Sequence, residues 1–383
     1  NPAWADNAVA QVLIAMYAAS GEKQRVSRDR LTGTSQNDPL KEFIVRGNYI
    51  YPVRPSLRLA VDLWEYCTRC MPRWNYTNIC GYHIREAGSS LVQEVAFAFA
   101  DALAYVENAL ERGLNIDDFG PRIAWNFTVN TNIFEEAAKF RAARRLWARI
   151  IKERFGAKNP ASMMFRTGAG TGGSQLTAQQ PENNIVRVTL NTLAAVLGGV
   201  QALHTASMDE ALALPSEKAA TIALRTQQII AHESGAAEVI DPLAGSYYVE
   251  ALTGQIEEEV ENYIRKIESL GGAVRAIEIG WMQKEIADNA YRYQKEIEGG
   301  QRIVVGVNRF RTDEGHQVDL HKADPQAVER AKESLRRLRQ ERDNNAVERA
   351  LADLRGAAQG KDNLMPYVCQ AVESYATIGE ICD

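Results

Sequence analysis

Two side chains in the first hundred positions have the type and setting to act on an acyl compound. His83 ends the short apolar run Asn78–His83, and Arg85 and Glu86 follow it. An imidazole at a strand end can donate a hydrogen bond to a carbonyl or move a proton. It can equally be a core histidine with its hydrogen bonds satisfied. Arg46 follows the polar cluster Gln36-Asn37-Asp38-Pro39. A guanidinium clamps a carboxylate through two parallel hydrogen bonds, although composition alone would leave Arg46 a surface charge.

Two other patterns carry less. Gly168-Ala-Gly-Thr-Gly-Gly173 contains the G-x-G-x-x-G spacing after an apolar run. A dinucleotide site needs a helix N-terminus at that loop to hold the pyrophosphate. Here the polar stretch Ser174–Pro181 intervenes, and no Lys-Ser or Lys-Thr follows to make a P-loop. The glycines read instead as a flexible loop where a ligand comes close to the backbone. Cys67-x-x-Cys70 lies inside a helical pattern without a second pair, so it reads as two helix cysteines rather than a zinc or redox site.

These residues must be held by something, and the sequence alternates short β-like runs with longer amphipathic ones. Helical spacing covers Asp6–Ser20, Pro55–Cys70, Ser89–Arg112, Asn132–Arg154, Asn184–Leu197 and Ser216–Glu233. Between them lie the Thr-rich segment Leu31–Gln36 and strand-like Asn78–His83, Arg122–Val129, Ser162–Thr167 and Ala202–Thr205. Strand-then-helix order points to a parallel sheet with crossover helices, either a (β/α)8 barrel or a doubly wound sheet. Gln36, His83, Arg122, the Gly168–Gly173 loop and His204 fall at expected strand ends. That placement favours the barrel, whose active groups sit at the C-terminal ends of its strands. After Asp241 the pattern changes to a loop at Pro242–Tyr248 and charged helical stretches at Gly254–Leu270 and Gly271–Gly299. A strand-like Ile303-Val304-Val305 and charged helix from Pro325 onward complete a mostly helical appendage. Its charge runs read as solvated faces.

Composition sets broad limits. The 383 residues, 45% of them hydrophobic and 24% charged, suffice for a large core. A net charge of -5 gives no reason to expect nucleic acid or an anionic membrane, and no apolar run is long enough to span a bilayer. Five cysteines at wide spacing suggest a reducing compartment rather than a disulfide framework.

Several long motifs resemble the methylmalonyl-CoA mutase superfamily, in order along essentially the whole chain. They are Gln36-Asn-Asp-Pro-Leu-Lys-Glu-Phe43, Gly81-Tyr-His-Ile-Arg-Glu-Ala-Gly88 and Leu176-Thr-Ala-Gln-Gln-Pro-Glu-Asn-Asn184, followed by Ser207-Met-Asp-Glu-Ala-Leu-Ala-Leu-Pro215, Thr226-Gln-Gln228 and Asp241-Pro-Leu-Ala-Gly-Ser-Tyr-Tyr-Val-Glu250. The resemblance implies an α/β fold: a partial (β/α)8 TIM barrel, about its last five strands, with a mostly helical C-terminal extension. Residues 1–240 would be the C-terminal part of the substrate-binding barrel, and 241–383 an extension leading toward a cobalamin-binding domain. The sequence lacks Asp-x-His-x-x-Gly, the family motif that supplies the lower cobalt ligand, and Asp313 to His316 has the wrong spacing. The chain therefore reads as a piece of a larger enzyme, and an open barrel would leave strand edges unpaired and the isolated chain poorly stable.

The implied activity is an adenosylcobalamin-dependent radical 1,2-rearrangement of an acyl-CoA, (R)-methylmalonyl-CoA to succinyl-CoA. Alternatives are a non-catalytic subunit of a heteromeric mutase, or a mutase for ethylmalonyl-, isobutyryl- or 2-hydroxyisobutyryl-CoA. By resemblance His83 hydrogen-bonds the thioester carbonyl, Arg46 clamps the free carboxylate, and Tyr82 sits beside the reacting centre. Thr34, Gln36, Arg73 and Arg122 match further substrate contacts. Val45, Glu86, Gly173, Glu210 and Ala211 match positions that touch the cofactor, while this chain supplies no metal ligand. Implied partners are the acyl-CoA, a cobalamin-binding domain or small subunit, and a second chain in a homo- or heterodimer. The implied location is the cytoplasm, or the mitochondrial matrix in a eukaryote. Gly168 and Gly170 stand where the family usually has His and Gln, and Ala124, Ala202 and Ala206 replace common Ser and Asn.

Overall fold

The computed structural model describes residues 3–4, 6–312 and 324–383, so Asp313 to His316 lies outside the described residues. Seven parallel strands form in chain order: β1 (Ala3–Trp4), β2 (Gly33–Ser35), β3 (Trp74–Asn75), β4 (Thr77–Cys80), β5 (Ile123–Val129), β6 (Thr167–Thr171) and β7 (Ala202–His204). β1, β2 and β3 pair as one group and β4 to β7 as another. Only Tyr76 separates β3 from β4, and the Asn78 N–H donates to the Gln36 carbonyl at 2.8 Å, so the groups join into one arc. The observed class is mixed α/β with a parallel sheet whose strands follow sequence order.

Helices connect the strands. They are α1 (Ala10–Lys23), α2 (Val53–Cys70), α3 (Gly81–Glu86), α4 (Leu91–Glu111), α5 (Ile133–Glu153), α6 (Asn183–Leu197) and α7 (Glu217–Glu233). α4 starts cleanly because Ser90 and Gln93 form a reciprocal cap: Ser90 Oγ accepts from the Gln93 N–H at 3.1 Å, and Gln93 Oε1 accepts from the Ser90 N–H at 2.9 Å. The helices cover one face of the sheet. On β5, Trp125 and Phe127 point into that layer, and Trp125 meets Phe99 of α4 at 4.9 Å and Trp147 of α5 at 4.8 Å between ring centroids. Strand side chains alternate between faces, so Ala124, Asn126 and Thr128 take the opposite face. Register places Cys80, Asn126, Gly168 and Ala202 in one row there, and Thr128, Gly170 and His204 in the next.

The C-terminal part is helical, as expected: α8 (Tyr247–Ser269), α9 (Gly272–Glu278), α10 (Trp281–Glu298), α11 (Pro325–Glu341), α12 (Asn344–Gln359), α13 (Met365–Glu373) and α14 (Ile378–Cys382). α8 packs on α4 and α5, and α13 packs on α1. Val249, Ile256 and Val260 of α8 share one buried cluster with Phe97 and Trp64. β7 and α7 are barely covered. α7 buries Ala219, Ala223, Thr226 and Ile230 but exposes Leu224 and Ile229, and Ile240 beyond it is 98% exposed.

Several boundaries differ from the sequence reading. The strand expected at Asn78–His83 stops at Cys80, and α3 begins at Gly81, because Gly81 packs under Phe127 where a Cβ would come within 2.7 Å of its ring. The strand expected at Ser162–Thr167 is a 3-10 turn at Pro160–Met163 followed by β6, so Gly168 and Gly170 are strand residues rather than loop. The Thr-rich segment contains β2. The Pro242–Tyr248 loop ends early, since α8 starts at Tyr247. Ile303–Val305 makes no strand; Val305 forms one isolated bridge with Arg309.

Candidate functional site at the strand ends

The C-terminal end of the arc collects the polar groups. Gln36 follows β2 and is held from two sides: its N–H donates to Asp6 Oδ1 at 3.0 Å, and its Oε1 accepts from Asn7 Nδ2 at 2.8 Å and Lys41 Nζ at 3.3 Å. Lys41 is fully buried and also donates to Glu42 Oε1 at 2.5 Å. Glu42 accepts further from Asn7 Nδ2 at 2.6 Å and from the Asn48 N–H at 3.1 Å. Arg46 ends a π-helical turn, Glu42–Arg46, that closes through left-handed Gly47. Its Nη1 lies 3.7 Å from Glu42 Oε1, and its side chain is 36% exposed. One loose contact leaves the guanidinium fork able to receive an anion.

His83 sits in the first turn of α3, not on the strand as expected, yet it is close enough to Arg46 for that charge to act on its ring. Burial, then the nearby charges of Lys41 and Arg46, push the imidazole down to about 3. His83 is therefore neutral at physiological pH. Its Nδ1 lies 3.1 Å from Cys80 Sγ, and its ring meets Tyr82 edge-on at 5.7 Å. The Tyr82 ring rests on β6: a Cβ on Gly170 would fall 2.7 Å from Tyr82 Cε2. Burial raises the Tyr82 hydroxyl, helped by Glu86 and Glu210.

Glu86 and Glu210 flank Gly173. A Cβ there would come 2.8 Å from Glu210 Oε1 and 3.2 Å from Glu86 Oε2. Glu86 accepts from the Ser174 N–H at 2.8 Å and from its hydroxyl at 3.0 Å, and burial still raises its carboxyl. Burial raises Glu210 too, opposed by His204. Val45 is half-buried near Arg46, and Ala211 is exposed beside Glu210.

The remaining expected contacts lie elsewhere. Thr34 is in β2, where its hydroxyl accepts from Asn75 Nδ2 at 3.1 Å. Arg73 precedes β3, and Arg122 precedes β5. Arg122 is thus at the N-terminal strand end, as the expected span Arg122–Val129 itself requires, and not among the C-terminal strand ends with which it was grouped. Arg166, just before β6, lies close enough to Arg122 to oppose its charge. Cys67 is buried and Cys70 exposed, both on α2. A separate apolar cavity of about 240 Å³, lined in part by Tyr51, Leu59, Leu354 and Val368, is apart from this site.

Three participants were not singled out from the sequence. Asn7, Lys41 and Asn126 build the site from behind. Asn126 had a signal: it alternates with Trp125 and Phe127 in β5, so a polar side chain had to face away from the core.

A parallel α/β sheet with polar side chains gathered over its C-terminal strand ends is the arrangement on which α/β proteins commonly build their ligand sites. More narrowly, the chain belongs to the methylmalonyl-CoA mutase family, whose profile, described as Methylmalonyl-CoA mutase, matches residues 4–383. It is 46% identical over 379 residues to the 2-hydroxyisobutanoyl-CoA mutase large subunit of Aquincola tertiaricarbonis, covering 98% of this chain and 67% of that protein. It is 45% identical over 373 residues to the methylmalonyl-CoA mutase of Rhizobium meliloti (97% and 52%). Against the methylmalonyl-CoA mutase of Escherichia coli strain K12 it is 43% identical over 372 residues (97% and 52%). The chain spans about half to two-thirds of the length of these relatives. No helix among the described residues is long and apolar enough to cross a membrane.

Proposed function

We propose that this chain is the substrate-binding part of the catalytic subunit of an adenosylcobalamin-dependent acyl-CoA mutase, an isomerase converting (R)-methylmalonyl-CoA to succinyl-CoA. Its strand arc, within residues 1–240, is the C-terminal part of a substrate-binding (β/α)8 barrel, and residues 241–383 lead toward a cobalamin-binding domain or small subunit. A second chain in a homo- or heterodimer and a location in the cytoplasm, or the mitochondrial matrix in a eukaryote, belong to the same reading. The observation that carries it is a neutral histidine near the strand ends within electrostatic reach of an arginine that is 36% exposed. The sheet face beneath them is small and polar, with Asn126, Gly168, Gly170 and Ala202 where a closed barrel usually packs branched apolar residues. Such a face leaves room for a ligand along the strands.

The roles follow from chemistry. His83 donates its N–H to the thioester carbonyl and stabilises charge on that oxygen while the acyl group migrates. Being neutral, it donates without protonating the substrate. Arg46 binds the free carboxylate, and Glu42 steadies its guanidinium. Thr34 and Gln36 line the acyl end, and the Tyr82 ring screens the reacting centre from water. Arg73 and Arg122, at the opposite strand ends, take the anionic CoA portion. Glu86, Glu210, Gly173, Val45 and Ala211 would hold adenosylcobalamin: Gly173 leaves the gap between two carboxyls that a side chain would close. That cofactor, when bound, supplies the radical chemistry.

A second reading, a mutase for another acyl group, is favoured by Gly168 and Gly170 and by the 46% identity to a 2-hydroxyisobutanoyl-CoA mutase large subunit. Assay of the full-length protein with its cobalamin partner and adenosylcobalamin separates them. Succinyl-CoA from methylmalonyl-CoA is expected; turnover of 2-hydroxyisobutyryl-CoA alone selects the second reading, and no rearrangement of any acyl-CoA defeats both. Arg46→Gln is expected to lower kcat/KM for dicarboxylic substrates about tenfold to a hundredfold, the scale of one charged hydrogen-bonded pair. Monocarboxylic substrates should be spared, and equal losses on both would remove the carboxylate role.

A further inference from the structure

A neutral imidazole carries one N–H, and the chemistry at His83 depends on which nitrogen holds it. We propose that Cys80 makes that choice: its thiol donates to His83 Nδ1, leaving the proton on Nε2 to meet the substrate carbonyl. Cys80 is then a positioning residue. The inference rests on the carbonyl-donor role of His83 given above.

The geometry is a set of donors and acceptors that fits one way. Cys80 Sγ lies 3.1 Å from His83 Nδ1. On its other side the sulfur accepts from Asn126 Nδ2 at 3.8 Å, an amide group that can only donate. The neighbour across the strands is fixed, since Cys80 and Asn126 are register partners. The residue itself is pinned: the Cys80 N–H donates to Asp38 Oδ2 at 2.8 Å, and Asp38 Oδ1 accepts from the Tyr105 hydroxyl at 2.9 Å. If Nδ1 carried the proton instead, the weak sulfur acceptor would face it as a third donor beside the Asn126 amide and the His83 backbone N–H. The S–H would then lose Nδ1 as its acceptor, and Nε2 would face the carbonyl as a second acceptor. Burial raises the thiol to about 11, so it keeps its proton. The depressed imidazole rules out a thiolate–imidazolium pair at neutral pH. The chain runs Asn126 to Cys80 to His83 to substrate, each group donating to the next.

The test uses the full-length protein with its cobalamin partner and 15N-labelled histidine, of which this chain has five. Nitrogen chemical shifts report the tautomer without turnover. Wild type is expected to show His83 as Nε2–H, neutral from pH 5 to 9 on the scale of ordinary imidazole titration. Cys80→Ala and the bulkier Cys80→Val, neither of which offers a donor, are expected to give a mixture of tautomers. Cys80→Ser, which restores a donor, should return Nε2–H. In parallel, kcat should fall about fivefold in the Ala and Val variants, the worth of one net hydrogen bond, with KM little changed. Serine should recover most of it. An Nδ1–H wild type, or Ala and Val tautomers identical to wild type, overturns the proposal. A protein that rearranges no acyl-CoA defeats the functional reading, and the nitrogen shifts still decide the role of Cys80.

Discussion

Two buried lysines solve the same problem in different places. Lys139 of α5, 1% exposed, sits behind β5, where its ammonium meets Glu94 Oε2 at 2.9 Å and the Thr128 carbonyl at 2.5 Å. Glu136 Oε2 approaches it to 2.6 Å as an ion pair outside hydrogen-bonding angles. Glu94 Oε1 also accepts from the Thr128 N–H at 2.7 Å, so the cluster closes on the backbone of the strand. Lys41 has its own glutamate, but its network runs on through Glu42 to Arg46 and acts on His83. A buried charge is therefore no mark of a site by itself. What matters is whether its contacts end inside the fold or at an open face.

The largest expected effect breaks the closed cluster. Lys139→Met leaves Glu94 and Glu136 buried without their cation and should cost about 3–5 kcal/mol in urea unfolding of the full-length protein. Lys41→Met should cost less, because Asn7, Asn48 and Arg46 still serve Glu42, and it should raise the pKa of His83 by removing a like charge. Equal losses would erase the distinction drawn above.

A middle-sized effect separates two glycines of one strand. Gly170→Ala drives a methyl into the Tyr82 ring and should cost about 1–3 kcal/mol, together with activity. Gly168→Ala places its methyl 3.6 Å from Ala202 Cβ, an ordinary contact, and should leave unfolding within about 0.5 kcal/mol of wild type.

The last effect is read as a slope, in pH dependence. His83 falls from an ordinary 6.5 to about 3, so between those values the unfolded chain binds a proton the folded chain refuses. Its contribution to stability is complete above 6.5 and declines as pH falls. Asp6, raised by burial from 3.8 to about 7, has the opposite sign, and its contribution is lost as pH rises through that range. His83→Gln should remove close to one proton of uptake on unfolding near pH 5, read from the pH slope of the unfolding free energy. No change in slope would place the imidazole in water.

Much of the architecture was legible because long amphipathic helices carry a strong period. α4 and α5 lie within a few residues of their expected spans. Strand limits were not legible. In one dimension Gly81 looks like strand and Gly168 like loop, and only the Phe127 ring and the neighbouring strands explain why Gly81 opens a helix and Gly168 lies in β6. The resemblance brought His83, Arg46, Tyr82, Glu86 and Glu210 into view, and the fold sets these five around one end of the sheet. Arg122 was grouped with the wrong strand ends, although its strand was placed to within one residue. The supports, Asn7, Lys41 and Asn126, act through contacts between distant segments that no local pattern encodes.

Tyr82 lying on the bare backbone of Gly170 couples two positions far apart in the chain. A side chain at 170 displaces the ring from its present position, and a lost ring leaves a hole over the sheet. A bulkier residue at 170 therefore demands another seat for the ring, so the bare strand decides where the aromatic wall stands.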